Sequence, residues 1–239
     1  MWAHAQRRAA LIEEEKDMAS AGTVEDSTEG RTRVPHRGRA LMIAGASLLA
    51  LGVLALVGVA IYVQYTNNFA HNAQKKLLAQ WEAKPILVTD LLATKVAPGA
   101  ALARITIPRI NVDAIVVELA NMDDRTDLNR GPGHIPGTAF PGMQGNSVIS
   151  GHRTTYGAPF GRIDELKNDD EIIVETAEGK FVYKVYEQRI IDPHDMTVLS
   201  QSGDTRITLL ACHPKFTASK RIMVSARLSG NTATPGVKQ

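Results

Sequence analysis

The chain has one cysteine, Cys212. With no second thiol, an internal disulfide is excluded and so is a cysteine-rich metal cage. An excess of charge of one sign is missing too: 27 Lys and Arg stand against 25 Asp and Glu, a formal net charge of +2. No basic stripe with interleaved aromatics appears, so nucleic acid is set aside as a partner. Between Pro98 and Ser229 there is no internal repeat, no low-complexity tract and no acidic loop suited to calcium. Between Ala40 and Val63 charge disappears altogether.

That uncharged run, ALMIAGASLLALGVLALVGVAIYV, is long enough at ~1.5 Å per residue to cross the ~30 Å hydrocarbon core once. It exceeds the apolar region of a secretory signal, about 7 to 15 residues, and exits through Tyr62, Gln64 and Tyr65, so it is expected to stay as an anchor. Arg31, Arg33, Arg37 and Arg39 crowd its N-terminal flank, whereas the first basic residues beyond it are Lys75 and Lys76. The positive-inside rule then predicts a cytoplasmic N-terminus and an extracellular remainder of a single-pass membrane protein. The expected divisions are a cytoplasmic tail at 1–39, the anchor at 40–63, a stalk or linker at 64–99, a compact domain at 100–230 and a C-terminal tail at 231–239. The tail is expected to be solvated, with helical tendency from Ala9 to Met18. In the linker, Asn67 and Asn68 are positioned to cap a helix carrying Phe69, Leu77, Leu78 and Trp81 on one face and ending near Lys84-Pro85. A stalk and a helix lying on the domain both fit that pattern.

The outer domain, about 130 residues, is large enough for one core. Strands are predicted at Ala103–Ile107, Ala114–Glu118, Ser147–Gly151, Glu171–Thr176, Lys180–Ile191, Arg206–Cys212 and Arg221–Leu228, from enrichment in Ile, Val, Thr and Tyr and from period-two alternation. Gly179 is expected to turn a hairpin between the fourth and fifth of these. Helical signal is confined to turns near Thr126–Asn129 and Phe160–Leu166. The fold class is therefore mostly β, a barrel or sandwich of seven to eight short strands with short helices, after one transmembrane helix.

Cys212 closes the run Arg206-Ile-Thr-Leu-Leu-Ala-Cys212. A lone cysteine can be a small buried hydrophobe, or it can be a nucleophile. Nucleophilic chemistry needs a thiolate, a proton donor for the leaving group and a group that holds the developing oxyanion. Arg221 is a candidate for the last role, because it stays charged and shares a face with Cys212 if the two strands are antiparallel neighbours. The donor is one of His134, His152, His194 or His213. His213 follows Cys212 directly, so an extended strand points it to the opposite face, and His134 and His194 fall in proline-containing loops. His152 ends the apolar run Ser147-Val-Ile-Ser-Gly-His152 and is favoured, with spacing alone leaving the choice open.

The motifs Thr208-Leu-Leu-Ala-Cys212 with downstream Arg221, Gly151-His152-Arg153, Arg130-Gly-Pro-Gly-His-Ile-Pro-Gly-Thr138 and the region Leu166 to Tyr186 occur in order. Together they resemble the sortase family, with Ser150-Gly-His-Arg-Thr-Thr-Tyr-Gly-Ala-Pro-Phe160 and Cys212-His-Pro-Lys-Phe-Thr-Ala most similar to class E sortases of actinobacteria. The resemblance covers roughly Ala101 to Leu228. Two positions depart from it: Ala211 stands where the family has Thr before the cysteine, and Asp169 where it has Gly in the Leu-Lys-x-Gly-Asp turn.

The resemblance implies a sortase-like closed β-barrel and a cysteine transpeptidase that needs no cofactor and no metal. It implies cleavage of a C-terminal LPxTG or LAxTG sorting signal between Thr and Gly, with Cys212 as nucleophile, His152 as general acid and base and Arg221 as oxyanion stabiliser. Tyr156, Ala211 and Thr208 are the expected substrate-binding residues. The implied partners are secreted proteins bearing such signals, a peptidoglycan-precursor amine or a pilin lysine as acceptor, and the membrane. A membrane-tethered β-domain with an inert thiol, and a hydrolase passing the acyl group to water, remain as rival readings. A zinc site from Cys212, His213 and His152 is disfavoured by the short Cys-His step and the lack of further ligands.

Overall fold

A computed structural model describes residues 36–86 and 96–233. The expected helical tendency at Ala9–Met18 lies outside them. The chain forms two units, Met1–Leu54 and Ala55–Gln239. In the first, the described residues from His36 are helical, and Leu41, Met42, Ile43, Leu48, Leu49 and Leu51 are all exposed. Among the described residues of this unit the apolar side chains are exposed around the helix, which suits a lipid environment. The same helix, α1 (His36–Ala83), continues into the second unit. Its 48 residues measure ~72 Å, more than twice a bilayer's hydrocarbon core.

No N-terminus forms at Asn67 and Asn68, because α1 runs through them without a break. The segment expected as a stalk or linker is thus largely a helix lying on the domain. Thr66, Ala70 and Leu77 recur on one face and are buried against it. Gln74, on the same face, donates from Nε2 to the Ile115 carbonyl at 3.0 Å and the Arg130 carbonyl at 2.9 Å, and its Oε1 accepts from the Ile115 N–H at 2.7 Å. The helix stops before Lys84-Pro85, where the proline lacks an N–H and its ring disfavours helical geometry in the residue before it.

Eight strands follow: β1 (Ala101–Ile107), β2 (Val112–Glu118), β3 (Gly133–His134), β4 (Gly145–Ser150), β5 (Glu171–Thr176), β6 (Gly179–Ile191), β7 (Thr205–His213) and β8 (Lys220–Ala233). They close into a barrel in the order β1-β2-β3-β4-β7-β8-β6-β5. Seven match the alternating runs of the sequence. The eighth, β3, has two residues, too few to show a period. One short helix, α2 (Arg125–Leu128), is capped by the Asp124 carboxylate, which accepts from the N–H groups of Thr126 and Asp127. Gly179 has φ of 152° in the β5–β6 hairpin, and Asp169 sits at φ of 70°, so the turn in which the family carries glycine keeps its left-handed backbone here with aspartate.

Alternation along the strands separates two packed layers. Ala103, Ile105, Ile107, Ile207, Leu209, Ala211, Ile222 and Val224 fill the barrel interior with Phe160 and Tyr183. On the outer wall Ala101, Ile115, Val117, Ile135, Val148, Leu210 and Met223 form a second cluster, closed over by Leu77, Leu78 and Trp81 of α1. The helix therefore completes a core, and its docking is part of folding.

Replacing Gln74 by Leu removes the partners of one N–H and two carbonyls at this seam. It should destabilise the domain by about 2 kcal/mol, measured by chemical denaturation of the full chain in detergent.

Candidate active site

Strands β4 and β7 pair in parallel, with Ser150 opposite Leu210, and the Gly151 N–H donates to the Leu210 carbonyl at 2.9 Å. The chain positions two residues beyond that pair are His152 and Cys212. On the other edge of β7, β8 runs antiparallel and places Arg221 directly opposite Cys212. Directly opposed residues of an antiparallel pair project from the same face. Since Ile207, Leu209 and Ala211 face inward, Cys212 shares the outer face of β7 with Leu210.

There it lines a cleft of about 300 Å³ together with His152 and Arg221. The apolar part of the wall includes Ile135, Ile191, Val198 and Leu210, and its rim includes Met122, Asp123, Arg125, Asp192 and Met196. The Cys212 thiol is partly exposed. Arg221 directs Nη1 to the carbonyls of Ala218 at 2.9 Å and Lys220 at 3.1 Å, and among the described residues no carboxylate forms a salt bridge with it. A guanidinium held by backbone alone keeps charge available for an anion in the cleft.

Of the four candidate histidines, only His152 borders the cleft. His134, read from the sequence as lying in a proline-containing loop, is instead fully buried in β3. Its Nδ1 meets the Glu118 carboxylate at 2.6 Å and its Nε2 faces the Ala139 carbonyl at 3.0 Å, a satisfied pair between β2 and β3. His194 is exposed and bonded to Asp192. His213 turns away from the cleft, as alternation demands, with its Nδ1 3.3 Å from Arg153 Nη1.

His152 Nε2 lies 2.9 Å from Asn129 Oδ1. An amide oxygen only accepts, so Nε2 carries the proton, and in the neutral ring Nδ1 holds the lone pair. Asn129 is the C-cap of α2, and Arg125 opens that helix. Burial, and then the Arg125 charge, hold the His152 imidazole below the ordinary histidine value. Neither α2 residue was legible as part of the site, since 23 positions separate Asn129 from His152 and four helical residues show no periodicity.

The structure adds Arg153, whose side chain is almost fully buried. Its Nη1 donates to the Cys212 carbonyl at 3.3 Å while Nη2 pairs with Asp164 at 2.7 Å. The residue after His152 thereby ties down the backbone of Cys212.

The expected substrate-binding residues divide. Ala211 borders the cleft, but its methyl belongs to the barrel interior. Tyr156 lies outside the cleft lining and packs on His152, with ring centroids 5.1 Å apart and planes at 31°. Thr208 is not part of the lining either. It is buried, donating to Asn146 Oδ1 at 2.8 Å and lying 3.3 Å from Ser225 Oγ, while the Asn146 amide donates in turn to the Val198 carbonyl at 2.8 Å.

A family model described as Sortase domain matches residues 105–229. Sortase SrtE1 of Streptomyces coelicolor is 32% identical over 238 residues, covering 90% of this chain and 65% of the relative, so the chain spans just under two thirds of that protein's length. Among solved structures, a sortase D5 transpeptidase from Clostridium perfringens aligns with a TM-score of 0.58 at 29% identity, over 66% of this chain and 99% of its own. Sortase E1 from Streptomyces coelicolor, crystallised with a tripeptide in the active site, aligns at 0.52 and 30% identity over 57% of this chain and 93% of its own.

A Cβ added at Gly151 would lie 2.5 Å from the Phe160 ring, which is buried. Gly151→Ala should displace the end of β4, lowering the melting temperature together with any turnover that depends on His152. Arg125→Gln should raise the His152 pKa towards about 6.5, read from its imidazole resonances during a pH titration. As the folded state binds this proton less readily than the unfolded chain, His152 withdraws stability as pH falls below about 6.5, and the variant should reduce that loss.

Proposed function

The chain belongs to the sortase family of cysteine transpeptidases, and on that premise we propose that it cleaves a C-terminal LPxTG or LAxTG sorting signal between Thr and Gly and joins the acyl fragment to a cell-wall amine. The supporting observation is the cleft shared by Cys212, His152 and Arg221 at adjoining strand ends.

In this reading the Cys212 thiolate adds to the threonine carbonyl, forming a C–S bond. The oxyanion that develops is held by Arg221. Collapse breaks the C–N bond as imidazolium His152 gives its proton to the departing glycine amine. The thioester then accepts an amine, whose proton returns to neutral His152, and the thiolate leaves. Burial and the Arg125 charge, which lower the His152 pKa, work against the imidazolium that the first half-reaction needs. The Asn129 bond to Nε2 leaves Nδ1 for that exchange.

The acceptor in this proposal is a peptidoglycan-precursor amine, in line with the class E likeness, with a pilin lysine as the alternative. The arginines that precede the apolar run support a cytoplasmic N-terminus, so both substrates would meet the enzyme on the outer face. The division of the chain into tail, anchor, linker and catalytic domain fits this arrangement, with the docked part of α1 counted in the catalytic domain.

The test incubates the full chain in detergent with a sorting-signal peptide, with and without triglycine, and follows products by mass spectrometry. Cys212→Ala should abolish cleavage, and Arg221→Ala and His152→Ala should each lower it by about 100-fold or more. Cleavage without any triglycine adduct would convert the assignment to a hydrolase.

A further inference from the structure

The loop after β4 carries a run of left-handed backbone that its sequence does not favour. Tyr156, Gly157 and Ala158 have φ of 52°, 75° and 43°. Two of the three have a Cβ, and such conformations persist only where their surroundings over-determine them. Part of the restraint lies within the loop, where the Ala158 N–H donates to the Thr155 carbonyl at 2.9 Å and the Phe160 N–H to the His152 carbonyl at 3.0 Å. The rest comes from α1. Asn67 Oδ1 accepts from the Gly157 N–H at 2.9 Å. The Phe69 ring meets the Tyr156 ring edge to face, with centroids 6.1 Å apart at 80°. Burial and the neighbouring phenol of Tyr62 push the Tyr156 hydroxyl above the usual tyrosine range, so this ring sits beside the turn at which the apolar run ends.

A line of contacts results: the Phe69 ring meets the Tyr156 ring, and the Tyr156 ring packs on the His152 ring, whose Nε2 is bonded to Asn129. Phe69 and Asn67 do not border the cleft. Phe69 is 43% exposed and closes no core, so packing of the domain does not account for an aromatic there.

We infer that Asn67 and Phe69, on the first turns of α1 beyond the apolar run, are positioning residues for His152 and act through Tyr156 and the 155–158 loop. The membrane helix is then a working part of the site and more than a tether. This rests on the reading of His152 as the general acid and base.

Asn67→Ala and Phe69→Ala in the full chain, in lipid nanodiscs, provide the test. Each should lower kcat for peptide cleavage by about 10-fold and leave KM unchanged, because neither side chain reaches the substrate cleft. The His152 imidazole proton resonances should move downfield in Phe69→Ala as the Tyr156 ring tilts off and its ring-current shielding is lost. Asn67→Asp keeps an acceptor for Gly157 and Phe69→Tyr keeps the ring, so both should restore kcat and the resonances. Wild-type kcat in the two alanine variants overturns the inference, and so does a fall in kcat with His152 resonances unmoved. His152→Ala separates the two levels: turnover retained there removes the reading of His152 as general acid and base on which the inference rests, while turnover lost there with active Asn67→Ala and Phe69→Ala removes only the role of α1.

Discussion

The site depends on the longer of two departures from antiparallel pairing in the barrel wall, the parallel pairing of β4 with β7. Parallel neighbours end at the same level, so the residues leaving two different strands arrive side by side. Had β7 met β4 antiparallel, His152 and Cys212 would lie at opposite ends of the wall. The antiparallel partner on the other edge, β8, begins where β7 stops and returns Arg221 to the same place. Three chemically distinct groups are thus gathered by backbone hydrogen bonds, and the side chains need only project from the correct face.

Which face is correct follows from the two-layer packing. The inner layer takes Ile207, Leu209 and Ala211, and the outer layer takes Leu210 and Cys212. The residue before the thiol therefore belongs to the barrel interior, where Ala211 is packed against apolar neighbours. Replacing the family's threonine with alanine at this position removes a hydroxyl from that interior and leaves the cleft surface to Leu210 and Cys212. Arg153 adds a brace between the strand ends, since it spans from the residue beside His152 to the carbonyl of Cys212 and is fixed in turn by Asp164.

Much of this was legible in the sequence. Period-two alternation located seven strands, and the ordered motifs from Arg130 to Arg221 identified the family and its fold. Alternation also placed His213 on the wrong face for Cys212. What escaped notice falls into two kinds. The two-residue β3 is too short to show a period, and with it went the burial of His134; the helical turn near Thr126–Asn129 was expected and is α2, but nothing local tied its Asn129 and Arg125 to His152. Contacts between segments far apart in the chain, such as Asn67 with Gly157, leave no trace in local pattern. The asparagines at 67 and 68 looked like a helix cap because capping is the commonest local use of that residue type, yet here the side chain of Asn67 serves a distant loop.

The continuous α1 carries a phase relationship as well as a position. Its contacts with the 155–158 loop, through Asn67 and Phe69, and its docked face, Ala70, Gln74 and Leu77, belong to one helix within the second unit. Each residue added between them would turn the docked face by about 100° and lift it ~1.5 Å. Length variation in this stretch is therefore restricted to steps that approximate whole turns, seven residues or eleven being far better tolerated than five. The linkage resembles a keyed shaft, in which spacing and azimuth are set together, and a drift in one by insertion or deletion cannot be absorbed without disturbing the other.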